Sequence, residues 1–108
     1  MRTGIPTLNH AEELYAELVL RCVEQVPPGR VTTYGAIAAA LREVLGRGGP
    51  RQVGAVMQRE GSAVTWWRVV RADGSIAPAH REEAREAWRT EGTPLRATGT
   101  VDMIAAFV

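Results

Sequence analysis

Thiols and imidazoles, the side chains that most readily act as nucleophile and proton relay, are scarce in this 108-residue sequence. There is one thiol, Cys22, and there are two imidazoles, His10 and His80. The most unusual stretch reads Val-Thr-Trp-Trp-Arg-Val-Val and has Trp66 and Trp67 at its centre. An indole has one N–H donor, no acceptor and no nucleophile, so neither tryptophan can attack carbon or relay a proton. The stretch is therefore predicted to bind rather than to react.

The counts of cysteine and histidine limit the remaining chemistry. A single cysteine excludes an internal disulfide framework and a zinc cluster built on thiolates. With only two histidines in the chain, neither a metal site nor another cofactor is expected. Cys22 falls on the apolar stripe of the first predicted helix, which favours a buried structural thiol over a nucleophile. An enzyme that uses Cys22 remains an alternative.

The positive charges are concentrated in one part of the chain. All 13 basic residues are arginine and the formal net charge is only +1, which argues against a protein that coats nucleic acid without discrimination. Residues 46–71 nevertheless carry a charge of +4, because they contain one acid, Glu60, and five arginines. The five are Arg47, Arg51, Arg59, Arg68 and Arg71. This segment is a candidate DNA-binding face; arginines that are merely solvated are the alternative.

The first predicted helix covers residues 9–26. Asn9 and Glu12 have the spacing of a helix N-cap and its reciprocal partner. An apolar stripe at helical spacing is expected to be buried. Its members are Ala11, Leu14, Leu18, Cys22 and Val26. The helix carries four glutamates against one arginine, so its end of the molecule is not expected to face DNA, and Pro27-Pro28-Gly29 ends it.

Two further helices follow, joined by a glycine-rich turn. Thr33 is suited to cap the second helix. The apolar face of that helix consists of Tyr34, Ile37, Ala38 and Leu41. Gly46, Gly48 and Gly49 end it, and a third helix is predicted from Pro50, a favoured first position, to about Arg59. Two helices joined in this way form a helix-turn-helix, which binds DNA in many proteins and serves only packing in others.

The second half of the chain contains the predicted β element. Residues 61–66 are expected to form a loop, Trp67–Arg71 a short strand, and Ala72-Asp73-Gly74 a tight turn. A last helix is predicted from about Ala79 to Glu91, closed by Gly92. The apolar tail, residues 101–104, is expected to pack on the core.

These elements predict one domain over residues 1–108, mainly α with a short β element, of the helix-turn-helix (winged-helix-like) class. No apolar run approaches the ~20 residues that span a bilayer. The sequence begins without the apolar stretch of a secretory signal. A cytoplasmic location is therefore expected.

Four segments resemble the O6-alkylguanine-DNA alkyltransferases, and the resemblance covers nearly the whole chain. The segments are Val31–Gly35, Pro50–Met57, Val64–Val70 and Glu91-Gly92. In that family the third segment reads Pro-Cys-His-Arg-Val-Val, and its cysteine thiolate takes the alkyl group off the damaged base. Here Trp66 stands at the cysteine position and Trp67 at the histidine position. The chain is thus similar to the alkyltransferase-like proteins, a subfamily with tryptophan in place of that cysteine, and to the C-terminal DNA-binding domain of the alkyltransferases.

The resemblance assigns DNA contacts to the second and third helices. Tyr34 corresponds to a tyrosine that crowds the phosphate beside the target nucleotide and favours its rotation out of the stack. Arg51 corresponds to an arginine that enters the duplex and fills the gap left by the flipped base. Gly54 and Ala55 are small enough to let the helix approach the floor of the minor groove. Gln52 belongs to the same DNA-binding set, and in a major-groove reader it would contact base edges.

Seven residues are expected to line a pocket for the flipped base. They are Met57, Val64, Thr65, Trp66, Val69, Ala79 and His80. The indole of Trp66 would supply a broad apolar wall, and contact of a base with an aromatic ring is worth about 1–3 kcal/mol in single-strand binders. Ala79 stands where some relatives carry an arginine over the base, and His80 beside it could partly substitute.

Three residues are expected to support the pocket without touching the base. Glu91 corresponds to the glutamate that orients the family's histidine. With Trp67 in place of that histidine, Glu91 is expected to be a structural acceptor. Arg68 is expected to brace the loop. No residue is assigned a catalytic role.

The resemblance implies a protein that flips O6-alkylguanine in duplex DNA by docking its helix-turn-helix in the minor groove. It would hold the base without alkyl transfer and flag it for nucleotide excision repair. Its expected partners are duplex DNA with this lesion and nucleotide excision repair proteins, but no membrane; it is expected to be a monomer, associated with the nucleoid when bound to DNA. The alternatives are a sequence-preferring helix-turn-helix regulator without base flipping and the enzyme that uses Cys22.

Overall fold

A computed structural model describes residues 10–108. The helices of this part of the chain are α1 (His10–Glu24), α2 (Tyr34–Leu45), α3 (Pro50–Glu60), α4 (Arg81–Glu91) and α5 (Met103–Ala106). The strands are β1 (Thr32–Thr33) and β2 (Val69–Val70), and short 3₁₀ turns lie at Gly61–Ala63, Trp66–Arg68 and Pro78–His80. Within residues 10–108, no helix has both the length and the apolar character needed to cross a membrane. The predicted class, mainly α with a short β element, is confirmed.

The helix-turn-helix consists of α2 and α3, and local capping defines both helices. The Thr33 hydroxyl accepts a hydrogen bond from the Ala36 N–H at 3.0 Å, which confirms Thr33 as the cap of α2. Gly46 ends α2 in the left-handed conformation, with φ of 73°. The α3 helix begins at Pro50, and the Gln52 side chain accepts from the Gly49 N–H at 2.9 Å. The turn therefore fixes where α3 starts.

The two-stranded sheet lies between two apolar clusters. β1 and β2 are parallel, with Thr32 opposite Val69 and Thr33 opposite Val70. Successive side chains of a strand point to opposite faces. Val69 accordingly packs in the first cluster, with residues of α1, α2 and α3, whereas Val70 packs in the second, with α4 and the C-terminal residues. Both valines are fully buried, so this strand is the seam that joins the two halves of the core.

The predicted apolar stripe of α1 is wrong by about one residue. The buried side chains are Tyr15, Ala16, Val19 and Val23, with Val26 beyond the helix. Ala11 is exposed, Leu14 is 44% exposed, and Leu18 and Cys22 are only half-buried. One residue turns the face of a helix by about 100°, and apolar residues on both sides of α1 left the period ambiguous. The proposed cap Asn9 lies outside the described residues.

Other predicted boundaries also need correction. The strand predicted over Trp67–Arg71 is only Val69–Val70. Its first two predicted residues belong instead to the 3₁₀ turn Trp66–Arg68. The loop at 61–66 contains a 3₁₀ turn at Gly61–Ala63, and the helix predicted from residue 79 begins at Arg81 after a separate 3₁₀ turn. In the tail, Val101 is fully buried as expected, but Ile104 is 99% exposed.

A contact between α1 and the turn after α2 holds α3 in place. Gly48 has φ of 97°, and a Cβ built there would lie 2.7 Å from the ring of Tyr15. Arg42 donates two hydrogen bonds to the Gly48 carbonyl, at 2.6 and 3.1 Å. Arg47 lies over the Tyr15 ring, 5.9 Å from its centroid, and donates to the Ala11 carbonyl at 2.9 Å. Tyr15 thus occupies the space that only glycine leaves free.

We expect Gly48→Ala to destabilise the fold more than Gly46→Ala. Both residues have positive φ, which costs a side chain about 1–2 kcal/mol. A Cβ at Gly46 meets nothing within 4 Å, whereas one at Gly48 overlaps the Tyr15 ring, which adds about 1–3 kcal/mol of overpacking. Urea unfolding of the two variants measures the difference. Equal midpoints would show that the turn moves away from Tyr15 without cost.

Candidate nucleic-acid interface

The centre of the predicted site is an ion pair between Arg68 and Glu91. The guanidinium donates from Nε to Oε1 at 3.0 Å and from NH2 to Oε2 at 2.6 Å, so the pair is a two-pronged fork. The side chains are only 11% and 12% exposed. A third guanidinium nitrogen donates to the Val26 carbonyl at 2.9 Å. The Trp66–Arg68 turn is thereby joined to Glu91 at the end of α4 and to Val26, which follows α1.

Glu91 has further donors besides Arg68. The Trp67 indole N–H donates to Oε2 at 3.0 Å, and the Gly29 backbone N–H donates to Oε1 at 3.3 Å. Burial raises the pKa of Glu91, but the hydrogen bonds from Arg68, Trp67 and Gly29 and the charge of Arg68 outweigh it, so the net pKa lies below its usual value. Glu91 is therefore an ionised acceptor at neutral pH. The structure brings Trp67, Arg68 and Glu91 together.

The backbone bends sharply before Trp66. Thr65 has φ of −77° and ψ of 65°, and the Trp66 N–H donates to the Val64 carbonyl at 2.8 Å, which is an inverse γ-turn. Trp66 is half-buried; its ring is edge-to-face with the Trp67 ring, with centroids 5.6 Å apart, and its centroid lies 5.6 Å from that of the His80 ring. The Thr65 hydroxyl is buried and has no hydrogen-bond partner among residues 10–108.

The seven predicted pocket residues do not share one surface. Met57 and Val64 are half-buried against the first apolar cluster, while Trp66 packs against the second. Ala79 and His80 are exposed, and Val69 is fully buried, so its side chain belongs to the core. The sequence pattern did not reveal the burial of Val69, because both faces of its short strand are covered.

Two concavities flank the tryptophan pair. One, of about 370 Å³, is lined by both indoles and by one face of α4. The other, of about 410 Å³, is lined by residues 62–65 together with Glu24, Trp67 and Arg68. Thr65 and Val64 thus face one concavity and Trp66 the other, and neither concavity contains all seven predicted residues.

The predicted DNA-contact residues lie on the first turn of α2 and on the first two turns of α3. Arg51, Gln52 and Ala55 are exposed, and a Cβ built on Gly54 meets nothing within 4 Å. The Gln52 side-chain oxygen is occupied as the cap of α3. Tyr34 is half-buried at the start of α2, and burial raises the pKa of its hydroxyl although the charge of Arg71 opposes the shift. The tyrosine is therefore a neutral hydroxyl at physiological pH.

The arginines of residues 46–71 have different local roles. Arg68 is used internally, and Arg47 is held against α1. Arg59 lies 3.8 Å from Glu60 in an exposed pair. Arg51 and Arg71 are exposed and form no ion pair with any of residues 10–108. The cations available to a ligand are thus fewer than the sequence count suggests.

Two structural contacts, those of Gly29 and Trp88, were not predicted from the sequence pattern. Gly29 was interpreted only as part of a helix stop, yet its N–H contacts a carboxylate 62 residues away. Trp88 is 1% exposed, and its indole N–H donates to the Trp67 carbonyl at 2.7 Å. Trp88 therefore stabilises the 3₁₀ turn Trp66–Arg68 from the core side. Its position as the large residue of the amphipathic α4 was the available signal.

Comparison with known proteins is consistent with this geometry. The sequence model of the family described as 6-O-methylguanine DNA methyltransferase, DNA binding domain, matches residues 15–93. A DNA base-flipping protein of Escherichia coli (strain K12) is 34% identical over 99 residues, which covers 85% of this chain and 72% of that protein. A DNA base-flipping protein of Shigella flexneri matches equally well.

Two crystal structures from S. pombe are also similar. One is Atl1 in complex with damaged DNA containing O6-carboxymethylguanine, with a TM-score of 0.72, 25% identity, and coverage of 89% of this chain and 95% of that one. The other is ATL in complex with DNA, with a TM-score of 0.61, 28% identity, and coverage of 83% and 87%. The resemblance predicted from the motifs is confirmed by sequence and by fold.

We expect Glu91→Gln to destabilise the protein in a pH-dependent way. Loss of one partner of a nearly buried ion pair costs on the order of 3 kcal/mol. Because the pKa of Glu91 is lowered on folding, its contribution is present above the ordinary glutamate pKa of about 4.3 and is lost as the pH falls through the lower folded value. The Tm difference between wild type and variant should be largest at pH 7 and should decrease below about pH 4.

The matched control is Glu60→Gln, which removes an exposed pair. In that pair the Glu60 carboxylate lies 3.8 Å from the Arg59 guanidinium, and the pair should contribute at most about 1 kcal/mol to the free energy of unfolding. If Glu91→Gln were as mild as Glu60→Gln at pH 7, the Arg68–Glu91 pair would not be the anchor of the site.

Proposed function

The chain belongs to the family of 6-O-methylguanine DNA methyltransferase DNA-binding domains and is an alkyltransferase-like protein, and from that premise we propose that it binds O6-alkylguanine in duplex DNA and flips the base out without transferring the alkyl group. The observation that carries the proposal is Trp66-Trp67 within an intact framework. Neither indole can be a nucleophile or a proton relay. The lesion therefore remains on the DNA while it is bound.

The chemistry around the motif supports binding without transfer. Glu91 accepts hydrogen bonds from Arg68, Trp67 and Gly29. Its oxygens are therefore used as acceptors within the protein. The only thiol, Cys22, lies on α1, half-buried against the first apolar cluster. Burial raises the pKa of this thiol, which keeps it protonated and weakly nucleophilic.

The surface of α3 suits approach to the floor of a minor groove. Gly54 and Ala55 give this face little side-chain bulk, and Arg51 projects from the first turn. An arginine that enters the duplex can stack with its flat guanidinium and donate to the orphaned base. Extrusion of a base costs a few kcal/mol and costs least at a weakened pair. An O6-alkyl group removes the guanine N1 proton, so damaged pairs open first.

A binder that leaves the lesion in place needs another activity to remove it. We therefore include in the proposal that the bound complex flags the site for nucleotide excision repair. A reactive enzyme must align the alkyl carbon with its nucleophile, whereas this site has no such requirement. It can accordingly accept alkyl groups of different size. We also propose that the protein acts as a monomer in the cytoplasm, where it associates with the nucleoid when bound to DNA.

Lesion preference is the direct test. Wild type should bind a duplex with one O6-methylguanine more tightly than the unmodified duplex, measured by fluorescence anisotropy. Arg51→Ala should weaken lesion binding by about tenfold or more, as expected for loss of an arginine that contacts bases. Arg21→Ala, an exposed arginine on α1, should leave it unchanged. Equal binding of both duplexes, with preference for particular sequences, would favour a helix-turn-helix regulator instead.

Absence of transfer is tested by intact mass. After incubation with a duplex that contains O6-methylguanine, the protein mass should be unchanged, because no thiolate faces the site. A mass gain in wild type that disappears in Cys22→Ser would overturn the proposal and make Cys22 a nucleophile.

A further inference from the structure

The groove between the tryptophan pair and α4, with a volume of about 370 Å³, is lined by Trp66 but by no other residue of the predicted lesion pocket and by none of α2 or α3. Its walls are Trp66, Trp67, Glu83, Glu86, Ala87 and Thr90, and Glu91 lies at one end. We propose that this aromatic-acidic groove binds an arginine side chain from a basic segment of a partner protein.

The charges of α4 are segregated around the helix. Glu83, Glu86, Ala87 and Thr90 follow the i, i+3, i+4, i+7 spacing of a single helix face. Arg81, Arg85 and Arg89 recur every four residues on another face. Arg85 is directed to the Thr98 carbonyl at 3.4 Å. The arginines of α4 therefore do not neutralise the groove, and within residues 10–108 neither Glu83 nor Glu86 forms an ion pair.

The groove combines two groups that recognise a guanidinium. The indoles of Trp66 and Trp67 are half-buried and offer apolar surface, and the exposed carboxylates of Glu83 and Glu86 stand beside them. A guanidinium stacks on an indole and donates in a fork to a carboxylate, whereas an ammonium lacks the planar fork. Ala87 is small, which leaves room between the ring and the acids. The surface thus favours arginine over lysine.

The protein already contains this combination internally. Arg68 lies with its guanidinium carbon 6.0 Å from the Trp67 ring centroid and forms its fork with Glu91. Trp66 with Glu83 and Glu86 presents the same pair of groups to solvent about one to two helical turns before Glu91. The groove is therefore a second tryptophan–carboxylate site of the kind that Arg68 occupies.

Size and charge favour a single cationic side chain as the occupant. The volume is at the low end of the about 300–1,000 Å³ of ligand sites, so it suits one side chain better than a folded surface. The two carboxylates repel phosphate, which opposes DNA. A partner that docks here can bind while α3 contacts DNA. The binding of arginine does not depend on lesion recognition, but a role in handing the lesion to a repair protein rests on the proposed function.

The test uses the 108-residue chain and a short probe, acetyl-Gly-Arg-Gly-amide, followed by NMR. We expect the Trp66 indole signal and the backbone amides of Glu83, Glu86 and Ala87 to shift at millimolar peptide. The Trp88 indole, which is 1% exposed, should not move. The citrulline analogue, which has the same shape without the charge, should cause no shift, and the lysine analogue should bind more weakly.

The double variant Glu83→Gln, Glu86→Gln should weaken the arginine probe by about fivefold, the loss expected when two exposed charge contacts of modest strength are removed. Glu82→Gln, one residue outside the groove, is the matched control and should bind as wild type does. Both variants should keep the wild-type affinity for the O6-methylguanine duplex, because the substituted residues are exposed and lie on α4, outside the helix-turn-helix. Both should lower the Tm only slightly, since Glu82 and Glu83 each lie in the first turn of α4, where a carboxylate stabilises the helix.

Several outcomes would overturn the proposal that the groove binds arginine. They are equal shifts with arginine and citrulline, equal affinity for lysine, shifts centred on the glutamates of α1, or an unchanged affinity in the double variant. A double variant with markedly tighter DNA binding would place the groove in the DNA interface instead. If the wild type showed no lesion preference but the groove bound arginine as expected, the proposed function would fail and the groove would stand.

Discussion

The forked ion pair between Arg68 and Glu91 is the interaction on which the arrangement of the motif depends. It joins segments that are 23 residues apart in sequence, and the third bond of Arg68 reaches the Val26 carbonyl, 42 residues away. Ion pairs with little solvent exposure often add little net stability, because desolvation offsets attraction. They do impose one geometry, since an unpaired charge in that place is costly. The fork therefore specifies where the 3₁₀ turn of Trp66–Arg68 lies.

That turn leads directly into the seam of the core. Val69 enters the cluster formed with α1, α2 and α3, and Val70 enters the cluster formed with α4 and the C-terminal residues. Both valines belong to β2, and β2 is hydrogen-bonded to β1, the strand that directly precedes α2. The helix-turn-helix and the tryptophan pair are thus fixed to one short strand. A shift of the strand by a single residue would exchange the two faces, which explains how so small a sheet can determine the relation of α3 to the motif.

Sequence reasoning succeeded where local rules decide the structure. The cap at Thr33, the stop at Gly46 and the start at Pro50 follow from neighbouring residues and were predicted correctly. The buried face of α1 was wrong, because apolar residues occur on both sides of this helix and Tyr15 packs against residues of other elements, Gly48 among them. The family resemblance indicated that Glu91 is an acceptor but named neither Arg68 nor Gly29 as its donor, and the Gly29 contact spans 62 residues. The groove on α4 depends on which helix face meets Trp66, which no single-sequence pattern specifies.

The two tryptophans have different consequences for the framework, and this difference argues against a simple loss of activity. The indole N–H of Trp67 donates to Glu91, as an imidazole N–H could, but an indole has no second nitrogen to accept a proton. The replacement keeps the structural half of the histidine's role and removes the chemical half. Trp66 removes the nucleophile and adds a half-buried ring that contacts Trp67 and His80. A decaying active site has no reason to retain a hydrogen-bonded support for a half-buried aromatic pair, whereas a binding site benefits from both.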